Sequence, residues 1–250
     1  MVMASPSRFR ASGIITTLRC VLRGPVPCAL CRRRIVGSAP ACPACLADLP
    51  WRNWALTPAT HRLALDARLP VYAAFAYRFP LDRIIARVKA GGTPLLLDHI
   101  LRLAITHLPE EVATLSGGAA PCAVPTAPRR LRRRQMDLPR QLSQGLGSAL
   151  GTTPIVIPFR ASDAGHAAQH GLGRAARRAL RIKPLDYWSS LAGTRLLLVD
   201  DVCTTGATLA AHVLALEEAG ATIVAACVLA LADPPRGTPD QTSRFTTDSA

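Results

Sequence analysis

The stretch Leu196-Leu197-Leu198-Val199-Asp200-Asp201-Val202-Cys203-Thr204-Thr205-Gly206-Ala207-Thr208 narrows what this chain can fold into more than any other. Four consecutive large apolar residues, preceded by the turn residues Gly193 and Thr194, suit a strand buried on both faces, as in a parallel sheet. Two carboxylates follow at its C-terminal end, the edge at which open α/β sheets bind their ligands. Thr204 to Thr208 then supplies three hydroxyls, a glycine and the first N–H groups of a helix running on through Leu216, which together make an anion cradle. Adjacent acids accept hydrogen bonds from two neighbouring hydroxyls while the loop and the helix dipole hold a phosphate nearby, so the chemistry fits a phosphorylated sugar. The Gly-x4-Gly-Lys-[Ser/Thr] pattern of a nucleoside-triphosphate loop occurs nowhere. The plainer alternative is a buried strand that ends in two solvated acids and a Thr-rich cap. Its parts are common singly; their order after a hydrophobic strand is what favours a site.

Two C-x2-C pairs stand near the N-terminus: Cys28 with Cys31, and Cys42 with Cys45. Paired knuckles of this spacing turn four thiolates toward one point and match tetrahedral structural zinc. Disulfides are the competing reading, but the first residues carry Arg8, Arg10 and Arg19 around a brief apolar run and do not read as a secretory signal. Cys20, Cys122, Cys203 and Cys227 read as ordinary semi-buried thiols, with Cys203 set apart by its place beside the loop. Arg32-Arg33-Arg34 between the knuckles is either a polyanion contact or a solvated turn. Trp51 and Trp54 are the nearby aromatics that could stack on bases.

At 250 residues, 49% of them hydrophobic, the chain can bury one α/β core with room for a small appendage. The formal net charge is +14, carried almost wholly by arginine, since Lys89 and Lys183 are the only lysines. Arginine's planar fork suits phosphate, so a polyanionic partner is one reading and solvated helix faces the other. No apolar stretch reads as a membrane span, and the expected location is the cytoplasm. The expected organisation is a leader with a short helix over residues 1–23, a zinc ribbon over 24–54, a linker or short helix, a main domain over 70–232, and an unstructured tail over 233–250.

Within the main domain, Val71 to Tyr77 is a β-type run, and Leu81, Ile84, Ile85 and Val88 have helical spacing before Gly91-Gly92 stops the helix. Lys89, at that helix end, reads as a complement to the dipole. Pro94 to Leu108 predicts a second helix, Pro109 to Gly118 a polar or partly helical connection, and Ala120 to Pro125 a short strand. Arg129-Arg130-Leu131-Arg132-Arg133-Arg134 follows that strand directly and reads as a pyrophosphate or nucleic-acid contact, or as a solvated charge run. Leu138, Leu142, Leu146 and Leu150 mark a further helix, and Thr153 to Pro158 a short strand. Residues 160–185, with Arg174, Arg177, Arg178 and Arg181 among glycines, read as a substrate lid or a basic loop. Ala221 to Ala230 predicts the last strand.

Leu196 to Thr208 resembles the signature of type I phosphoribosyltransferases, which bind 5-phosphoribosyl-1-pyrophosphate (PRPP). The resemblance implies that Asp200 and Asp201 hold the ribose hydroxyls, and that Val202, Cys203, Thr204, Thr205, Gly206, Ala207 and Thr208 form the loop around the 5-phosphate. The layout from Cys28 to Ala232 is similar to the ComF family, in which a double-Cys zinc ribbon precedes a phosphoribosyltransferase domain and several members are linked to competence for DNA uptake. Its marks here are the two knuckles, Ala73 to Tyr77, Ile84-Ile85 with Lys89, Val124-Pro125 with the arginines after it, Gln169-x-x-Leu172 with Arg174 and Arg177, and the loop. Where that family commonly has Arg-Gly-Phe-Asn, this chain reads Arg134-Gln135-Met136-Asp137; Leu180 and Leu185 replace an asparagine and a phenylalanine.

The expected fold class is therefore α/β, a type I phosphoribosyltransferase-like parallel sheet flanked by helices with a small N-terminal zinc ribbon. One expectation is transfer of phosphoribosyl to an unidentified acceptor, with magnesium on the pyrophosphate and Arg129, Arg130 and Arg177 stabilising the departing group. The other is a non-catalytic adaptor that contacts single-stranded DNA or a DNA-uptake or recombination protein, with PRPP at most a sensed ligand.

Overall fold

The computed structural model describes residues 26–35, 39–56, 69–92, 94–126, 128–134, 136–157 and 191–233. The chain divides into two compact units between Leu49 and Pro50. The expected leader helix, the lid region with Arg174, Arg177, Leu180 and Leu185, residues 57–68 of the expected linker and all but the first residue of the tail lie outside the described residues.

The small unit is organised on sulfur. Strands β1 (Val26–Pro27) and β2 (Arg34–Ile35) pair antiparallel, Val26 opposite Ile35, and helix α1 (Pro43–Ala47) follows with proline in its first turn. Among its described residues the buried apolar ones are Cys28, Ala41, Cys42 and Leu49.

The large unit holds a five-stranded sheet in the order β3 (Trp51–Leu56), β4 (Val71–Ala76), β7 (Thr222–Leu231), β6 (Arg195–Cys203), β5 (Ala120–Ala123). The four strands from β4 to β5 are mutually parallel, with Tyr72 opposite Cys227, Val199 opposite Cys227 and Ala123 opposite Val199. Every residue of β4 is buried, as is nearly all of β6 and β7, which explains their unbroken apolar runs: both faces are covered. Each fully buried leucine of β6 contributes about 1.5–3 kcal/mol of transfer free energy. The described helices are α2 (Leu81–Lys89), α3 (Leu95–Thr106), α4 (Glu110–Ser116), α5 (Pro128–Arg134), α6 (Leu138–Leu150) and α7 (Ala207–Glu218). Leu81, Ile84, Ile85 and Val88 form the buried stripe of α2, and Leu138, Leu142 and Leu146 that of α6.

Three differences from the sequence expectation have physical causes. The sheet is mixed, because β3 joins β4 antiparallel, with Trp51 opposite Phe75 and Ala55 opposite Ala73. The ribbon does not extend through Trp54: a register shift between Trp51 and Ala55 puts Asn53 and Trp54 at φ 49° and 57°. That bulge sinks Trp54 to 2% exposure, where its Nε1–H donates to the Ala104 carbonyl at 2.8 Å. Trp51 lies against Phe75, ring centroids 4.4 Å apart, so both tryptophans serve the sheet rather than a base-stacking surface. Among the described residues, Thr153 to Ile157 makes a bridge, Ile155 to Cys122, in place of a strand; Pro109 to Gly118, expected to be polar or partly helical, carries the helix α4, ended by Gly117 at φ 48°.

Candidate functional site

The parallel strands end on one edge, and the chemically loaded residues gather there. β6 runs through both acids to Cys203, and Asp200 and Asp201 are buried, at 9% and 8% exposure. The Asp201 N–H donates to Asp200 Oδ1 at 2.7 Å, and the Val202 N–H donates to Asp201 Oδ1 at 2.7 Å. Each carboxylate is thereby oriented by the next backbone amide.

Past Cys203 the chain turns through Thr204 and Thr205 to Gly206, which caps α7 at φ 72° with no side-chain cap bond. Only glycine takes that left-handed conformation freely, and its lack of a side chain leaves the first turn of α7 open to the loop. The Ala210 N–H donates to Gly206 O at 2.8 Å to start the helix, and Thr205 Oγ1 accepts from the Ala207 N–H at 3.4 Å. Thr204 and Thr208 are exposed. One turn in, the buried His212 donates from Nδ1 to the Thr208 carbonyl at 2.8 Å, tying the loop's last threonine to the core side of the helix. The arrangement presents hydrogen-bond acceptors for hydroxyls beside amides and hydroxyls for an anion.

Lys89 enters this edge from another element. Its Nζ lies 2.8 Å from Asp201 Oδ2, with the two side chains 26% and 11% exposed. β4 is two strands from β6, about 10 Å away, and α2 with its nine residues spans that gap. The helix stops at the right residue because Gly91, at φ 93°, and Gly92 close a Schellman motif: Gly91 N–H donates to Val88 O and Gly92 N–H to Arg87 O, both at 2.9 Å. A Cβ on Gly92 would sit 2.8 Å from Arg87 Cγ and 2.9 Å from Arg87 O. Tyr77, just past β4, also feels this edge: burial first, then the charges of Asp82 and Asp201, push its phenol up. The dipole reading of Lys89 thus missed its partner; the Gly-Gly stop was legible, the sheet order that brings β6 beneath it was not.

The arginine run is helical. α5 follows β5, whose neighbour Val124 donates to Val199 O at 2.8 Å, and α5 packs beside α2. Arg129 and Arg130 therefore begin a helix at the same sheet edge as the acids; the side chain of Arg129 is outside the described set. In the segment that departs from the family pattern, Met136 is buried and Asp137 Oδ1 accepts from Thr126 Oγ1 at 3.1 Å. Cys203 is buried, and its thiol is pushed up to about 12 by burial and by the Asp200 charge, against a Gly206 amide that lowers it. That removes it from consideration as a nucleophile beside the loop.

In the small unit, the Sγ atoms of Cys28, Cys31, Cys42 and Cys45 all lie within 4.8 Å of one another, and those of Cys31 and Cys42 are 3.8 Å apart. Sulfurs at the corners of a tetrahedron with 2.3 Å zinc bonds stand about 3.8 Å apart, so the set fits zinc. The Leu30 and Cys42 N–H groups donate to Cys28 Sγ at 3.4 and 3.3 Å. Burial pushes the Cys28 thiol up, but backbone donors from Cys31, Cys42 and Leu30 outweigh it and bring it down to about 6. Cys45, whose thiol bonds to Cys42 and Cys31, is pushed up to about 12.

Residues 174–248 match the family model of the phosphoribosyl transferase domain. No curated protein matches the chain. The match contains β6, the acids, the loop, α7 and β7, the elements whose geometry has just been described. The large unit is thus an α/β phosphoribosyltransferase-like domain, accompanied by a four-cysteine cluster able to hold a metal ion. Among the described residues no helix is long and apolar enough to cross a membrane.

Proposed function

We propose that this chain is a PRPP-binding phosphoribosyltransferase of the ComF type, acting in the cytoplasm, with structural zinc on Cys28, Cys31, Cys42 and Cys45. The observation that carries the reading is the pair of oriented, buried carboxylates running directly into an open helix N-terminus, inside the segment that matches the phosphoribosyl transferase domain. Asp200 and Asp201 bind the ribose diol, and Thr204 to Thr208 with the first turn of α7 binds the 5-phosphate. The loop places the phosphate and the acids place the ring, leaving carbon 1 and its pyrophosphate directed away from the loop. Magnesium belongs to the ligand's pyrophosphate, whose charge it offsets. Arg129, Arg130 and Arg177 stabilise the departing pyrophosphate, and no protein nucleophile is needed, in keeping with the high Cys203 thiol.

The test is calorimetric titration of the zinc-loaded protein with PRPP and magnesium, beside the double variant Asp200→Asn/Asp201→Asn. Binding in the wild type that is lost in the variant, at unchanged zinc content, is the expected result. Equal binding by both proteins would sink the assignment. A role in DNA uptake or recombination as an adaptor is favoured by one observation of its own: Arg32, Arg33 and Arg34 are all exposed on the cysteine unit. Such binding to single-stranded DNA would weaken steeply with salt and be indifferent to the two aspartates.

A further inference from the structure

We propose that Lys89 is an exchangeable counter-ion that couples the ribose subsite to the pyrophosphate subsite: it occupies Asp201 in the free protein and moves to the ligand's pyrophosphate when a ribose hydroxyl takes its place. The inference rests on the reading of Asp200 and Asp201 as the ribose ligands. Asp201 Oδ1 accepts from its neighbour's amide, and Oδ2 faces the Lys89 ammonium at 2.8 Å. A hydroxyl that donates to Oδ2 competes for the lone pairs this ammonium uses. Once displaced, the ammonium, on a side chain 26% exposed beside a carboxylate 11% exposed, is stabilised by a new anionic partner.

The ligand supplies the alternative partner. Carbon 1 adjoins carbon 2, so a pyrophosphate on carbon 1 lies within a few ångströms of the hydroxyl pair that the acids hold. Lysine is suited to the exchange, a compact charge on a four-carbon stem that swings by rotamer changes alone. The base of that stem does not swing. Gly91 and Gly92 lock the end of α2, and Ile84, Ile85 and Val88 anchor the helix in the core. The cost of breaking the ion pair is therefore offset only by ligands that carry both a diol and a pyrophosphate, which makes the residue a filter against ribose 5-phosphate.

The filter predicts effects of opposite sign. In Lys89→Met, titration with PRPP and magnesium should show affinity reduced tenfold or more, while ribose 5-phosphate should bind as well as or better than to wild type. Proportional losses for the two ligands, or no change for either, would overturn the exchange while leaving the ribose-phosphate assignment standing. A wild type that binds neither ligand would overturn the assignment and the exchange together. A second measurement needs no variant. The Lys89 amine in intact wild type is pulse-acetylated, acetylation is completed with a heavy isotope after unfolding, and the ratio is read by mass spectrometry; with only Lys89 and Lys183 to assign, the peptide is unambiguous. Ribose 5-phosphate should raise the reactivity of Lys89 and PRPP with magnesium should lower it. Protection by both ligands alike would refute the exchange.

Discussion

Three buried thiols sit on neighbouring strands of the sheet: Cys122 on β5, Cys203 on β6 and Cys227 on β7. They are 0%, 2% and 0% exposed, and burial pushes each from 9.0 up to about 12, with the Asp200 charge adding to the shift of Cys203. In the unfolded chain each thiol ionises near its ordinary value. A folded pKa above the unfolded one stabilises the fold fully below that ordinary value, and the contribution is lost as pH rises through it toward the folded value. Between about pH 8 and pH 10 each thiol forfeits roughly 1.4 kcal/mol and the three together about 4 kcal/mol, a large part of a typical domain's total. With a urea dependence of about 2 kcal/mol per molar, the midpoint should fall by about 2 M over that range. Unfolding followed by tryptophan fluorescence reports it, since Trp51 and Trp54 both lie in the sheet. The variant Cys122→Ala/Cys203→Ala/Cys227→Ala should lose most of the slope. Tyr72 and Tyr77, both raised by burial first, add a drop of the same sign only at higher pH. A midpoint constant from about pH 8 to 10, or the same slope in the triple variant, would refute the reasoning.

Other perturbations have readable outcomes. Trp54→Phe removes the donor to Ala104 O in a buried site, and urea unfolding should show a loss of about 1–3 kcal/mol. Gly147→Ala places a methyl 2.6 Å from Pro154 Cγ and 2.7 Å from Thr152 O. Because one of these is backbone, α6 must shift, and the same assay should show about 1–3 kcal/mol lost. Cys42→Ser should lower zinc content measured by plasma mass spectrometry and weaken what remains toward chelators, with PRPP binding by the large unit retained.

Much of the site was legible because its parts are contiguous. The apolar run, the two acids, the hydroxyl loop and the helix occupy one stretch, and backbone geometry alone orders them as β6, loop and α7. The knuckles were legible for the same reason: two residues between cysteines leave little freedom for where the sulfurs point. Leu138, Leu142 and Leu146 declared α6 through a period that only a helix satisfies. Arg130 and its neighbours were read as a charge run, and the helix they form needed β5 and α2 beside it to take its position.

What lay between distant segments was decided by tertiary structure. Trp51 to Leu56 carries turn-like backbone at Asn53 and Trp54 and looks like the end of a small module. It becomes a sheet strand because the Trp54 indole finds a dry pocket and an acceptor on α3, fifty residues on. Lys89 at a helix end looks like a dipole complement until the strand order β4-β7-β6 puts Asp201 beneath it. Cys203 is set apart in the sequence by its place beside the loop, and burial, with the Asp200 charge, pushes its thiol up to about 12. Local sequence determined the parts of this protein, since periodicity and turn chemistry act within a few residues. Which parts meet was set by burial of the sheet's two faces, an energy to which every segment contributes at once.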